Sequence, residues 1–370
     1  MIDIFEQSFD FDRPLSLYVH VPFCIRKCSY CAFFSCTGQN EEIRENYTDR
    51  IVSEIEKINQ KLKTPFHTVF IGGGNPGCLS YRQLERICKA ACKNGRPEEF
   101  TTEMNPESLD ENKCSLFADY FTRLSMGVQS LDEKALKFLG RNASLKETIK
   151  GMENACTLRE ETGISLNFDL ITCLGKWHDA LADVRKTVGD FSPDHLSIYA
   201  LSIEEGTPLY RQNVTVPDSD EQFEILSGIW KFMKDRKYVH YEVSNFAEPG
   251  HECMHNIVYW DYSQYAGVGP GAASTGFRDG LAYRIEADCN IANWKYNMVS
   301  LSVQEQLEEF VLMGLRHSKG LDLERLERYF GKTITEIPDG YSKKGGFLVP
   351  DEHGLITSDA AALQIISKLG

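Results

Sequence analysis

The sequence predicts an α/β fold, a partial (β/α)6 TIM-type barrel carrying a C-terminal α+β, winged-helix-like extension. Three observations carry that expectation. Short β-rich runs alternate with segments of helical period, the polar residues cluster where those runs end, and the pattern changes character after about residue 214. Strand alternating with helix argues for βαβ units, a parallel sheet and right-handed crossovers.

The β-rich runs are "LSLYVHV" (15–21), "HTVFI" (67–71), "FTTEM" (100–104), "RLSMGV" (123–128), "ISLNFDLI" (164–171) and "HLSIYAL" (195–201). Helix-period segments at 41–61, 81–93, 108–119, 132–139, 145–161 and 179–189 lie between them. Six units are two short of a closed eightfold barrel. The strand ends carry cysteines after the first run, "GGGNP" after the second, then Glu103, Gln129, Asp169 and Tyr199. In a parallel barrel those ends share one rim, so residues distant in sequence converge there.

The organisation expected is 1–214 as the barrel, 215–304 as a middle region and 305–370 as a C-terminal domain. In the middle region "PDSDEQFEILSGIWKFMKDRKY" reads as a helix, "YVHYEVSNF" as a strand and "HNIVYWDYSQYAGVGPGAASTGF" as an aromatic, glycine-rich loop. The last region reads as two helices, then "GFLVPDEHGLITSDAAALQIISKLG" as a hairpin followed by a helix. From residue 305 onward eight Lys plus Arg stand against eleven Asp plus Glu, which disfavours a DNA-reading wing.

Charge and hydropathy narrow the function classes. The net charge of -14 repels phosphate backbones and excludes nucleic acid as the expected partner. No signal peptide and no run of eighteen apolar residues is seen, so the expectation is a cytoplasmic protein that is not integral to a membrane. In that setting twelve cysteines suggest metal binding or catalysis more than a disulfide framework.

"VPFCIRKCSYCAFFSC" places Cys24, Cys28 and Cys31 at C-x3-C-x2-C on a loop after the first strand. Three thiolates from one loop can hold three irons of a cubane cluster and leave the fourth iron open. Zinc is the rival, with Cys36 or His20 as fourth ligand. Cys36 lies five residues beyond Cys31, outside the spacing, and reads as a loop thiol.

The C-x3-C-x-aromatic-C loop resembles the radical S-adenosylmethionine (SAM) superfamily, whose partial barrel matches the six units. That resemblance implies a 4Fe-4S cluster whose open iron is chelated by SAM, and reductive cleavage of SAM to a 5′-deoxyadenosyl radical. It also implies SAM-binding roles for Tyr18, for Tyr30 near the adenine, for Gly73, Gly74 and Asn75 of the glycine motif, and for Glu103, Gln129, Arg141 and Asp169. Taken singly, each of these polar residues reads as a surface charge or a rim hydrogen bond.

"LYVHVPFC", "FIGGGNP", "E-x-NP", "GVQS", "LGR", "HLSIYAL", "YEVSNFA" and "GHECMHNIVYW" occur in the order seen in the coproporphyrinogen-oxidase-like branch, and within it the HemW-type haem chaperones. Phe33, where the oxygen-independent coproporphyrinogen III oxidases carry a further cysteine, and the 23 residues before Cys24 both resemble the HemW side. Haem as cargo, a haem-acceptor protein and an electron donor are implied partners. His255, Asn256, Tyr259 and Trp260 match the H-N-x-x-Y-W segment and are the haem candidates by that resemblance; a packed aromatic loop is the other reading.

"HECMH" also matches the zinc-protease H-E-x-x-H, but Pro249-Gly250 upstream argues against the helix it needs. The sequence departs from the family pattern at Ala32-Phe33, at Asn75, at Gly175 to His178 and at Ala273. These departures leave open the tetrapyrrole handled and whether SAM is turned over. An oxygen-independent coproporphyrinogen oxidase and, more distantly, a zinc-stabilised regulatory protein stand as alternatives.

Overall fold

A computed structural model describes residues 2–369. Six parallel strands, β1 (Ser16–Val21), β2 (Thr68–Gly73), β3 (Glu99–Met104), β4 (Arg123–Gln129), β5 (Ser165–Thr172) and β6 (His195–Ala200), pair in that order. Their residues are mostly buried, as expected for parallel strands covered by helices. The covering helices after the N-terminal α1 (Ile2–Ser8) are α2 (Glu41–Asn59), α3 (Tyr81–Ala91), α4 (Glu111–Asp119), α5 (Glu133–Phe138), α6 (Leu145–Thr162) and α7 (Ala180–Phe191).

Each crossover helix starts at a side-chain cap. Asn40, Ser80, Asp110, Asp132, Ser144 and Asp179 accept the first free amides of α2 to α7 in turn. Ser80 and Ser144 form full capping boxes with Gln83 and Glu147. The alternation legible in the sequence is therefore reinforced locally at each helix start.

Beyond the six units come α8 (Pro208–Arg211), α9 (Ser219–Asp235), β7 (Val239–His240), β8 (Asn245–Ala247), α10 (Met254–Trp260), β9 (Tyr265–Val268), β10 (Ala273–Arg278), β11 (Leu281–Ala287) and β12 (Tyr296–Ser300). Three expectations need correction here. The segment read as one strand over "YVHYEVSNF" turns back between β7 and β8, with the Asn245 amide donating to Glu242 O (3.3 Å). The region read as an aromatic loop forms α10, β9 and β10, and β9 adds a seventh parallel strand beside β1. Glycine hid this strand: a Cβ at Gly267 would lie 2.0 Å from Ala273 O, so the β9–β10 turn tolerates no side chain there.

The third correction lies in the C-terminal part, α11 (Val303–Leu315), β13 (Leu321–Asp322), α12 (Leu323–Phe330), β14 (Tyr341–Lys344), β15 (Phe347–Pro350), α13 (Glu352–Ile356) and α14 (Ser358–Leu369). The hairpin sits one segment earlier than expected, turning at Gly345-Gly346. "EHGLI" is helical because Asp351 accepts the Gly354 amide (2.9 Å). These elements enclose their own apolar core around Phe310, Val311, Leu315, Leu326, Leu348 and Ile365.

α6 passes close to the turn that follows β3. A Cβ at Gly151 would meet Pro106 Cβ and its carbonyl oxygen at 2.6 Å. Alanine favours helix by up to about 1 kcal/mol over glycine, yet Gly151→Ala should destabilise the chain by ~1–3 kcal/mol through overpacking, read as a lower urea midpoint.

Candidate cofactor and substrate site

The cysteine loop is closed at its base by backbone. The Cys24 amide donates to Cys36 O (2.9 Å) and the Cys36 amide to Pro22 O (2.7 Å). Cys36 Sγ also points to Pro22 O (3.3 Å), which commits this thiol to the loop base. The loop is tied to the far side of the rim, because the Ser29 amide donates to Leu139 O (2.9 Å). Gly140 has φ +69°, and a Cβ there would lie 2.3 Å from Ser29 Oγ. The next residue, Arg141, reaches Cys28 Sγ (3.4 Å), Asn105 Oδ1 (3.1 Å) and Gly127 O (2.6 Å).

A cavity of about 550 Å3 runs from this loop into the sheet interior. Cys24, Cys28, Cys31, Tyr30, Gly73, Gly74, Asn75, Glu103, Gln129, Arg141 and Asp169 all line it. Tyr18 does not. His20 Nε2 lies 2.9 Å from Phe34 O and must donate to that carbonyl, so Nδ1 accepts the Tyr18 hydroxyl (2.9 Å). Both nitrogens of His20 are engaged in hydrogen bonds and Cys36 Sγ is bonded to Pro22 O, so neither is free to complete a zinc tetrahedron without losing a bond.

Backbone approaches the cavity where side chains are missing. Gly73 has φ +112°, and a Cβ there would sit 2.7 Å from the His20 ring. A Cβ at Gly74 would lie 3.0 Å from Cys24 Sγ. The Gly73 amide donates to Glu103 Oε2 (3.0 Å). The Asn75 side chain is spent on neighbouring turns: Oδ1 accepts the Gly77 (3.0 Å) and Asn105 (3.3 Å) amides, and Nδ2 donates to Ser108 (2.7 Å). Gln129, at φ 72°, is aimed inward by the irregular register between β4 and β5.

Burial dominates the electrostatics. It pushes the Glu103 carboxyl up to about 8, assisted by the Asp169 charge and opposed by the Gly73 amide. Burial also raises Asp169, although Asn167 Nδ2 (2.7 Å) and Ser125 Oγ (3.2 Å) donate to it. The Cys24 thiol is pushed up to about 12, again mainly by burial. The tyrosyl hydroxyl of Tyr30 is held well above its ordinary value by burial, and the residue packs against a small apolar cluster that includes Ile171, Leu174 and Leu201.

The haem candidates lie at the opposite end of the strands. Glu99 accepts the Met254 (3.0 Å) and His255 (2.9 Å) amides, capping α10, and pairs with Arg123 (3.1 Å). His255 is fully buried, with Nδ1 2.7 Å from Thr68 Oγ1 and Nε2 2.9 Å from the Tyr259 hydroxyl. Burial lowers its pKa to about 3. Of the four candidates only Asn256 reaches the cavity lining. His251 precedes α10 and faces Ser165 (3.1 Å), so the "HECMH" histidines do not share a helical face.

Sequence reasoning missed a polar interior below the rim. Ser125, Asn167, His195 and Ser197 line the same cavity, and His195 bridges Asn167 Oδ1 (2.6 Å) and the Tyr241 hydroxyl (2.9 Å). The signal was present as period two, Ser125 and Gly127 on β4, Asn167 and Asp169 on β5, His195, Ser197 and Tyr199 on β6.

A parallel sheet with a C-x3-C-x2-C loop and a backbone glycine cradle on its C-terminal rim defines a radical SAM protein, and the model of the Radical SAM superfamily matches residues 18–185. A second model, the HemN C-terminal domain, matches residues 301–362. The chain is 31% identical over 350 residues to the heme chaperone HemW of Lactococcus lactis, covering 88% of this chain and 89% of that one. It is 33% identical to the heme chaperone HemW of Escherichia coli over 73% of each chain. The chain belongs to the HemW family of the radical SAM superfamily. The solved coproporphyrinogen III oxidase of Escherichia coli, HemN, shares the fold over 96% of this chain and 91% of that one, with TM-score 0.77 and 21% identity.

Superfamily membership implies a 4Fe-4S cluster and SAM, and the donor set fits them. Three thiols line the rim end, while Cys253 lies at the far end with its thiol donating to Glu99 (3.4 Å). Replacing Cys24, Cys28 and Cys31 together by Ala should abolish bound iron and acid-labile sulfide. Cys36→Ala should retain both at close to the unaltered level, and a loss of iron in that variant would place Cys36 among the ligands.

A carboxyl raised from 4.5 to about 8 means the folded chain keeps a proton that the unfolded chain releases. Stability from Glu103 is thus full below pH 4.5 and is lost as pH rises through about 8. Glu242 is raised in the same range, so the contribution is read as a difference. In the metal-free chain the stability of the wild type relative to Glu103→Gln should fall between pH 5 and 8, measured by urea unfolding at each pH.

Proposed function

We propose that this chain binds haem and hands it to an acceptor protein, with a 4Fe-4S cluster on Cys24, Cys28 and Cys31 and with SAM as resident cofactors. The observation that carries this reading is its similarity to HemW chaperones over most of both chains. Bound, the cluster would supply an open iron for SAM and a single electron. The chain's own residues do the positioning. Arg141 sets a cation beside Cys28 Sγ, Gly73 and Gly74 admit a ligand against bare backbone, and Glu103 with Asp169 present carboxyls whose ionised forms a cationic ligand would favour.

In this reading residues 1–214 carry the cofactors, 215–304 extend the sheet and close its other end, and 305–370 form an appended module. Twelve free thiols suit a reducing compartment, so we place the protein in the cytoplasm, with a one-electron donor as a further partner. No helix among the described residues is long and apolar enough to cross a membrane.

The fold shared with coproporphyrinogen III oxidase makes oxidative decarboxylation the second reading. Reconstituted protein incubated anaerobically with SAM, reductant and coproporphyrinogen III should leave the tetrapyrrole mass unchanged, beside an active oxidase as control. The same preparation should bind haem. Loss of two carboxyl groups would assign the oxidase activity instead.

A further inference from the structure

The haem-binding reading leaves open where the cargo sits, because the histidine of the H-N-x-x-Y-W segment is internal. Both ring nitrogens of His255 are taken, and the residue is fully buried beneath the sheet. The one histidine lining the cavity, His195, also has both nitrogens bonded. Neither offers an iron ligand without breaking buried hydrogen bonds.

The cavity mouth offers different chemistry. Phe33 and Tyr199 line it and are 69% and 42% exposed, so both present ring surface at the mouth. Phe33 stands two residues after Cys31 on the cysteine loop, and Tyr199 near the end of β6. Ile25, on the same loop, is 58% exposed. Arg26 and Lys27 line the mouth as well, both exposed, and neither forms an ion pair among the described residues. Lys27 Nζ rests 3.2 Å from Phe33 O. The carboxylate at the mouth, Glu204, accepts the Ser202 hydroxyl (2.6 Å). Apolar ring surface with unpaired cations on one loop of a chain of net charge -14 matches a flat macrocycle that carries carboxylates on its edge.

We infer that the tetrapyrrole docks across the cavity mouth, its face on Phe33 and Tyr199 and its propionates on Arg26 and Lys27, held by its periphery with no histidine–iron bond. This inference rests on the haem-binding reading above. It makes the cargo a cover for the cofactor cavity, so occupancy of the mouth and access to the cluster are coupled.

The test is titration of the cluster-reconstituted full chain, under anaerobic conditions, with haem and with metal-free protoporphyrin IX. A peripheral site takes both with Kd values within about threefold, whereas an axial histidine site discriminates against the metal-free ring. Arg26→Glu with Lys27→Glu should raise both Kd values about tenfold or more, and Phe33→Ala should do the same, at unchanged iron and sulfide content. Should the charge variant lose its cluster, Tyr199→Ala, away from the cysteine loop, carries the test. Haem binding without protoporphyrin binding, or mouth variants that bind haem like the wild type, would overturn the inference while leaving haem binding intact. A wild-type protein that takes neither ring would overturn the haem reading itself.

Discussion

Where β1 ends, its pairing with β2 continues past both strands into the cysteine loop. The Gly74 amide donates to Val21 O (2.8 Å) and the Asn75 amide to Phe23 O (2.8 Å). Everything in the site depends on this close backbone approach, because a side chain at Gly74 would collide with Phe23 O and Cys24 Sγ together. The same pairing fixes Cys24 at the entrance and brings the amide of Gly73 to Glu103 on the neighbouring strand. The cysteine loop and the glycine cradle are thereby joined by main-chain hydrogen bonds, and Glu103 is attached to them through the Gly73 amide.

The two ends of the sheet are treated oppositely. At the C-terminal ends of the strands the chain leaves a cavity and surrounds it with thiols and carboxyls. At the N-terminal ends Thr68, Glu99, Arg123, Ser165 and His195, each the first residue of its strand, are bonded to the segment around α10 or to Tyr241. The buried Glu99–Arg123 pair is expensive to desolvate, and what offsets that cost is its set of further bonds: the α10 amides on Glu99 and the carbonyls of His251 and Glu252 on Arg123. A histidine in that seal is part of the floor. Its low pKa is the consequence of burial there, and its sequence neighbourhood alone does not make it a ligand.

The six βα units were legible because strand runs and helical periods alternate cleanly and each helix begins at a capping residue. The cysteine spacing was equally plain, since three ligands on one loop need no tertiary information. Residues beyond position 236 were read less well. β9, "YAGV", is too short and too rich in small residues to show a period, and it is specified by its neighbours β1 and β10. The turn between β7 and β8 and the helical "EHGLI" rest on single side-chain or backbone caps, which hydrophobic pattern does not reveal. Tyr18, a SAM-binding position by resemblance, donates its hydroxyl to His20, a pairing between positions i and i+2 that only the three-dimensional strand end exposes.

The departures from the family pattern fall on supports of the site. Asn75 contributes its amide nitrogen to the β1–β2 pairing, which any residue supplies, while its side chain braces the turns at Gly77 and Asn105. Around Gly175 to His178 the chain builds a local clamp: His178 meets Asp183 (3.0 Å), Asp183 accepts the Ser130 hydroxyl, and Trp177 packs edge-on to Phe138 (5.4 Å) beneath Lys134. Ser130 directly follows Gln129, so this clamp holds the left-handed backbone that turns Gln129 into the cavity. Ala273 pairs with Glu286 and leaves the tight crossing at Gly267 undisturbed. Among these positions Ala32 and Phe33 are exposed and line the cavity mouth, and Phe33 presents the large side chain there. A change confined to that position alters what the rim can adsorb without touching how the cluster loop is held, because the loop is secured at Cys24, Ser29 and Cys36 by its own backbone.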